Sequence, residues 1–142
     1  MKLGPPNTRE VDYIQTRKNV ANWFDREYSK YQRIANIPVL SSVRLSLTSK
    51  GTSSANSVED MNVNRANARQ VLEFVNAVLD TLDDRYKTII KARFIQGLQG
   101  WQIEELIGLS QTQTNVSIKQ ACALFAQTMD MTAGTELTAY KE

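Results

Sequence analysis

The chain has 142 residues, 42% hydrophobic and 23% charged, with a formal net charge of +2. This composition is typical of one ordinary globular domain, and the chain contains no apolar run of about 18 residues that would span a membrane. The lack of His and the single Cys122 argue against a zinc site, His-dependent catalysis and an internal disulfide. The polar start, MKLGPPNTREVD, is no secretory signal, so we expect a cytoplasmic protein without metal or cofactor.

Residues 1–62 form the first predicted region, an aromatic and basic helix followed by a loop. The helix is expected from about Glu10 to Asn36 and to end before Pro38. The interval Val39–Asn62 is rich in Ser and Thr and predicts an extended, partly mobile loop. The apolar stripe of the helix recurs every three or four residues and consists of Val20, Trp23, Phe24, Tyr28, Tyr31 and Ile34.

Residues 63–130 form the second predicted region, and residues 131–142 a frayed tail. A helix is expected from about Asn64, and Asp83-Asp84 offers an N-cap for the next one, which ends at Gln96-Gly97. A short helix at Trp101–Ile107, a turn at Gly108-Leu109-Ser110 and a longer helix at Gln111–Met129 follow. The fold class is therefore expected to be all-α.

The last two helices have the rhythm of a helix-turn-helix, in which a Gly and an apolar residue form the turn. Ile118, Ala121, Cys122 and Phe125 fall on one face of the longer helix, where they can be buried against Ile103, Leu106 and the helix of Ile89 and Ile90. Trp101 is expected in the core or as a staple residue. The opposite face then presents Thr112, Gln113, Val116, Lys119 and Gln120, with Asn115 at the flank.

Side chains of these types can read base edges in the major groove, because Gln and Asn bond bidentately to adenine and apolar groups touch the thymine methyl. The charge is less favourable: residues 1–60 carry +3 and residues 61–142 carry −1. Phosphate contacts would have to come from Arg85, Lys87, Arg93, the helix N-termini near Gln102 and Gln111, or the basic N-terminal helix.

The same pattern also fits a plain packed helix pair with a solvated polar face. Glu104-Glu105 then belongs to the solvated surface or contacts a basic patch of a partner. The chain shows no paired catalytic constellation, so we expect no enzymatic activity.

Residues Leu82–Ala126 resemble the region-four helix-turn-helix of bacterial sigma factors. More widely, the chain resembles the ArpU family of phage and prophage transcriptional regulators, which are related in style to the RinA activators. It shares with that family the aromatic, basic helix NWFDREYSKYQRI, the Ser/Thr-rich stretch and the signature KQACALFA at Lys119–Ala126, with Cys122 in place of the usual Leu. The sigma-like residues are Leu82, Arg85, Ile89, Arg93, Phe94, Gly97, Leu98, Ile103, Leu106, Gly108, Leu109, Ser110, Ile118, Ala121 and Phe125.

This resemblance implies a DNA-binding activator of phage late genes for packaging, structure or lysis. Promoter DNA is the expected partner, with host RNA polymerase and a second copy of the chain as further candidates. Two alternatives stay open: a module that docks on RNA polymerase, and a DNA-packaging protein similar to small terminase subunits. The residues at recognition-helix positions are Gln111, Thr112, Gln113, Asn115, Val116, Lys119 and Gln120.

Overall fold

The computed structural model describes residues 10–36 and 54–142, with side chains in the second range from residue 63 onward. The described residues fall into two compact units. One contains residues 10–26 and 76–142, and the other contains residues 27–36 and 54–75. The predicted recognition helix belongs entirely to the first unit.

The described part of the chain is predominantly helical and contains no strand, only an isolated antiparallel bridge between Val11 and Tyr140. The all-α class is therefore confirmed. In chain order the helices are α1 (Tyr13–Trp23), a π-helical turn (Phe24–Tyr28), α2 (Ser29–Asn36), α3 (Ser54–Asp80), α4 (Asp84–Ile90), a second π-helical turn (Lys91–Ile95), α5 (Gly100–Ile107) and α6 (Gln111–Ala133).

The first helical stretch begins at Tyr13 because Asp12 caps it: the Gln15 N–H donates to Asp12 Oδ1 at 3.0 Å. The expected effect of Pro38 and the loop over residues 39–53 lie outside the described residues. Residues 54–62, however, are helical, so the loop prediction is wrong there and α3 begins ten residues before Asn64. Ala55, Glu59 and Met61 are good helix formers, and the Ser and Asn residues around them hid that propensity.

Helix α6 is the centre of the first unit, and α1, α4 and α5 all pack against it. Ile89, Ile90 and Ile103 are fully buried, as the sequence predicts. Burying one such side chain is worth about 1.5–3 kcal/mol. The Phe24 ring stacks on Phe94 with 5.3 Å between centroids, and lies 5.2 Å from Phe125.

Two predictions for α5 are wrong. Leu106 was expected to be buried but is 53% exposed, and Trp101, expected in the core or as a staple, is 59% exposed. Helix α5 has only eight residues, and Ile103 takes the one position that is buried in it. The side chains of Trp101 and Leu106 project to other sides of this short helix. The helix therefore has more apolar residues than it has buried positions.

Residues 134–142 are ordered against α1 and the end of α6, contrary to the predicted frayed tail; we call Thr135–Lys141 the C-terminal clasp. Asp130 Oδ1 accepts hydrogen bonds from the Thr135 hydroxyl at 2.6 Å and the Leu137 N–H at 2.8 Å. Its Oδ2 accepts from the Thr138 N–H at 2.9 Å. On the α1 side, the Ala139 N–H donates to the buried Thr16 hydroxyl at 2.9 Å.

Candidate nucleic-acid interface

The turn between α5 and α6 is fixed by its backbone. Gly108 adopts φ 71° and ψ 33°, a left-handed conformation that glycine enters at little cost, and its N–H donates to the Glu104 carbonyl at 2.8 Å. Ser110 then caps α6, because its hydroxyl accepts from the Gln113 N–H at 3.2 Å. The predicted turn residue and the predicted N-cap are both confirmed. By contrast, Asp83 occupies the N-cap of α4 without the predicted side-chain hydrogen bond.

Helix α6 has one buried and one exposed face. Thr114, Ser117, Ile118, Ala121, Cys122 and Phe125 are buried on the inner face. The predicted reading residues all reach the surface: Gln111, Thr112, Gln113, Asn115, Val116 and Gln120 are exposed, and Lys119 is partly exposed. The exposed face of α6 therefore presents a continuous row of Thr, Gln, Asn and Val side chains, which we call the exposed row.

Two glutamines in this row have internal partners. Gln113 Oε1 accepts from the Ser110 N–H at 3.4 Å, which completes the cap of α6. Gln120 Oε1 accepts from the Tyr86 hydroxyl on α4 at 2.8 Å. With each amide oxygen engaged, the amide NH₂ groups of both residues are left as hydrogen-bond donors. This bond joins residues 34 positions apart, so the local sequence pattern does not indicate it.

A groove of about 470 Å³ runs along one side of the exposed row, and we call it the Arg85 groove. It is lined by Arg85, Leu109, Thr112, Gln113, Val116, Ser117 and Gln120. Arg85 is exposed at the start of α4, so its guanidinium lies beside the exposed row. This arrangement places a cation next to groups that can read bases.

The other predicted phosphate contacts have partners within the protein. Lys87 Nζ forms an ion pair with Asp80 Oδ1 at 3.2 Å. Arg93 Nη1 donates to the Leu98 carbonyl at 3.2 Å. Gln102 Oε1 accepts from the Gln99 N–H at 2.7 Å, which caps α5. Of the four predicted residues, Arg85 is the one that the structure brings to the exposed row.

Cys122 is fully buried on the inner face of α6, as expected for a small core residue. Burial raises the pKa of its thiol to about 12, although the positive charges of Arg17 and Arg93 act in the opposite direction. Among the described residues, no group of three or more His, Cys, Asp or Glu side chains is arranged to hold a metal ion.

No family model, curated protein or solved structure matches this chain. Within the described residues, no helix has the length and apolar character needed to cross a membrane.

Proposed function

We propose that the protein is a sequence-specific, double-stranded-DNA-binding activator of phage or prophage late genes. In this proposal α5, the Gly108 turn and α6 act as a sigma-region-four-like helix-turn-helix, and α6 enters the major groove. The observation that carries it is the exposed polar row of α6, held on a capped helix beside Arg85. The late-gene role rests on the sequence resemblance to ArpU-like regulators.

Each side chain of the row has a distinct part in the proposal. Asn115 is exposed and suits bidentate bonding to adenine. Gln113 and Gln120 present amide donors to base acceptors such as guanine O6 or thymine O4, since their oxygens are engaged inside the protein. Thr112 can donate or accept, Val116 suits a thymine methyl, and Arg85 contacts phosphate.

The test is binding-site selection from a random duplex library, followed by affinity measurements on the selected duplex and on single-base variants of it. The wild-type protein should enrich one shared sequence. Asn115→Ala should lose about 1–3 kcal/mol of discrimination at one base pair, which is roughly 5- to 150-fold. Asn76→Ala is the matched control, because Asn76 is an exposed helical Asn that does not belong to the exposed row and does not line the Arg85 groove.

Failure to enrich any sequence at low salt would contradict DNA reading by α6. A late-promoter reporter then tests activation: Asn115→Ala should reduce expression in proportion to its loss of binding, while Asn76→Ala should not.

A polymerase-docking module is the second candidate, and the exposed side chains of α5 favour it. Trp101 and Leu106 are large apolar groups on the surface, next to Glu104 and Glu105. Such a mixed apolar and acidic surface suits a basic, apolar patch on another protein. This reading predicts that Trp101→Ala reduces activation in the reporter while DNA affinity stays unchanged.

A further inference from the structure

A second groove lies on the other side of the exposed row of α6. It has a volume of about 360 Å³, and we call it the Lys141 groove. It is lined by Asp12, Tyr13, Ile14, Val116, Lys119, Gln120 and Lys141. Val116 and Gln120 line both grooves, so they form a ridge with the Arg85 groove on one side and the Lys141 groove on the other.

The far wall of the Lys141 groove is built by the C-terminal clasp and the start of α1. The Lys141 N–H donates to the Glu10 carbonyl at 2.8 Å, and the Asp12 N–H donates to the Ala139 carbonyl at 2.9 Å. These bonds fix Lys141 beside the first turn of α1. Tyr13 and Ile14, on that turn, are 42% and 60% exposed, and Val116 across the groove is 47% exposed.

We propose that each groove receives one sugar-phosphate backbone of a DNA duplex whose major groove holds the ridge. Arg85 then contacts one strand, and Lys119 and Lys141 contact the other. This inference rests on the proposed function and adds a second, previously unassigned phosphate site formed by the clasp.

The geometry of B-DNA supports this assignment. Its major groove is about 12 Å wide, admits an α-helix and is bordered by one phosphate backbone on each side. A reading helix flanked by two clefts, each with a cation, is complementary to that pattern. Tyr13 and Ile14 give the second cleft an apolar wall that suits the sugars, while the lysines provide charge for the phosphates.

The ridge also favours DNA over an acidic peptide. A peptide would fill one groove, whereas a duplex presents two backbones with the base edges between them. Because Val116 and Gln120 line both grooves, the ridge can meet the base edges while each groove receives one of the two backbones.

The carboxylates of Glu10 and Asp12 lie on the same side as the lysines and must be accommodated. Asp12 Oδ1 accepts from the Gln15 N–H, so this carboxylate is engaged as the cap of α1. Glu10 Oε2 pairs with Lys141 Nζ at 2.9 Å, but both side chains are largely exposed, so the pair is weak and easily exchanged. Phosphate can replace Glu10 as the partner of Lys141, and Glu10 therefore acts as an internal competitor for the site.

The experiment is ethylation interference on the duplex selected by the wild-type protein, repeated with Arg85→Ala, Lys119→Ala and Lys141→Ala. Each variant should lose sensitivity at the phosphates that its missing side chain contacts. We expect the Arg85-dependent phosphates on one strand and the Lys119- and Lys141-dependent phosphates on the opposite strand. Lys91→Ala is the matched control, since Lys91 is a partly exposed lysine that lines neither groove.

Affinity against salt concentration gives a second readout. Lys141→Ala should make the slope of log K against log salt shallower by about 0.9, and should weaken all duplexes alike without changing the preferred sequence. Glu10→Gln should raise affinity at low salt, because it frees Lys141 while keeping the size of the side chain. Circular dichroism of each variant checks that the fold is retained.

The proposal is overturned if the wild-type protein selects a sequence but Lys119→Ala and Lys141→Ala leave the phosphate pattern and salt slope unchanged. It is also overturned if the affected phosphates lie on the same strand as those of Arg85, or if an acidic peptide protects Lys141 from acetylation and duplex DNA does not. Failure of the proposed function looks different, because the wild-type protein would then select no sequence at all.

Discussion

Two glycines at the ends of α5 should respond in opposite ways to the same substitution. An added Cβ would meet no atom within 4 Å at either Gly100 or Gly108, so sterics with neighbouring groups do not distinguish them. They differ in backbone: Gly108 has φ 71°, whereas Gly100 is the first residue of α5 and lies outside the left-handed region.

The magnitudes follow from that difference. At Gly108 the left-handed conformation of an alanine lowers the free energy of unfolding by about 1–2 kcal/mol. A less flexible unfolded chain offsets about 0.4–1 kcal/mol of this loss. The net loss for Gly108→Ala is therefore about 1 kcal/mol. Gly100→Ala keeps only the favourable part and should gain about 0.4–1 kcal/mol.

Urea unfolding followed by circular dichroism measures both variants. With an m-value of about 2 kcal/mol/M, the two midpoints should lie roughly 1 M apart, on either side of the wild type. Gly108→Asn should recover part of the loss, because asparagine tolerates the left-handed region better than alanine. Equal midpoints for Gly100→Ala and Gly108→Ala would refute the assignment of the turn geometry.

Two further predictions concern polar groups in the same unit. Burial alone would raise the pKa of Asp130, but hydrogen bonds from Thr135, Leu137 and Thr138 outweigh it and lower that pKa. Asp130 therefore stabilises the fold above the unfolded pKa of about 4, and this contribution is lost as the pH falls through the lower folded pKa. Asp130→Asn, which sets an NH₂ against the Thr138 N–H, should cost about 1–3 kcal/mol at pH 7, and urea titrations should show the gap closing below about pH 4. Thr114 Oγ1 is buried without a hydrogen-bond partner among the described residues, so Thr114→Val should raise stability by about 1–3 kcal/mol in thermal unfolding; no gain would mean that the hydroxyl has a partner.

Local sequence signals predicted the parts of the fold that depend on periodicity and backbone preference. Ile118, Ala121, Cys122 and Phe125 repeat at helical spacing, and all four are buried. Gly108, which the sequence placed in the turn, has a positive φ, and so do Gly97 and Gly134. These features are readable because each depends on residues only a few positions apart.

The remaining features depend on contacts between distant residues. The clasp has no helical or strand period. It is joined to α1 by Thr16 and Asn19, which bond to residues more than 100 positions away. Lys141 lies in a segment that was predicted to be a frayed tail, so the sequence did not place it in the proposed interface. Lys141 was not predicted beside α6 because the ordered clasp that carries it was not predicted.

The two grooves bear on how a chain of net charge +2 would hold DNA. Arg85, Lys119 and Lys141 are the cations that line them. Three phosphate contacts correspond to a salt slope of about −2.7, which is small for a DNA-binding protein and implies weak non-specific binding. In the proposed complex, most of the affinity of a single copy then has to come from base contacts by α6. Occupancy of a promoter would benefit strongly from two copies on a repeated site, since linking two binding events raises the effective concentration of the second. A slope much steeper than −2.7 would instead place further cations, such as those of the basic N-terminal helix, on the DNA.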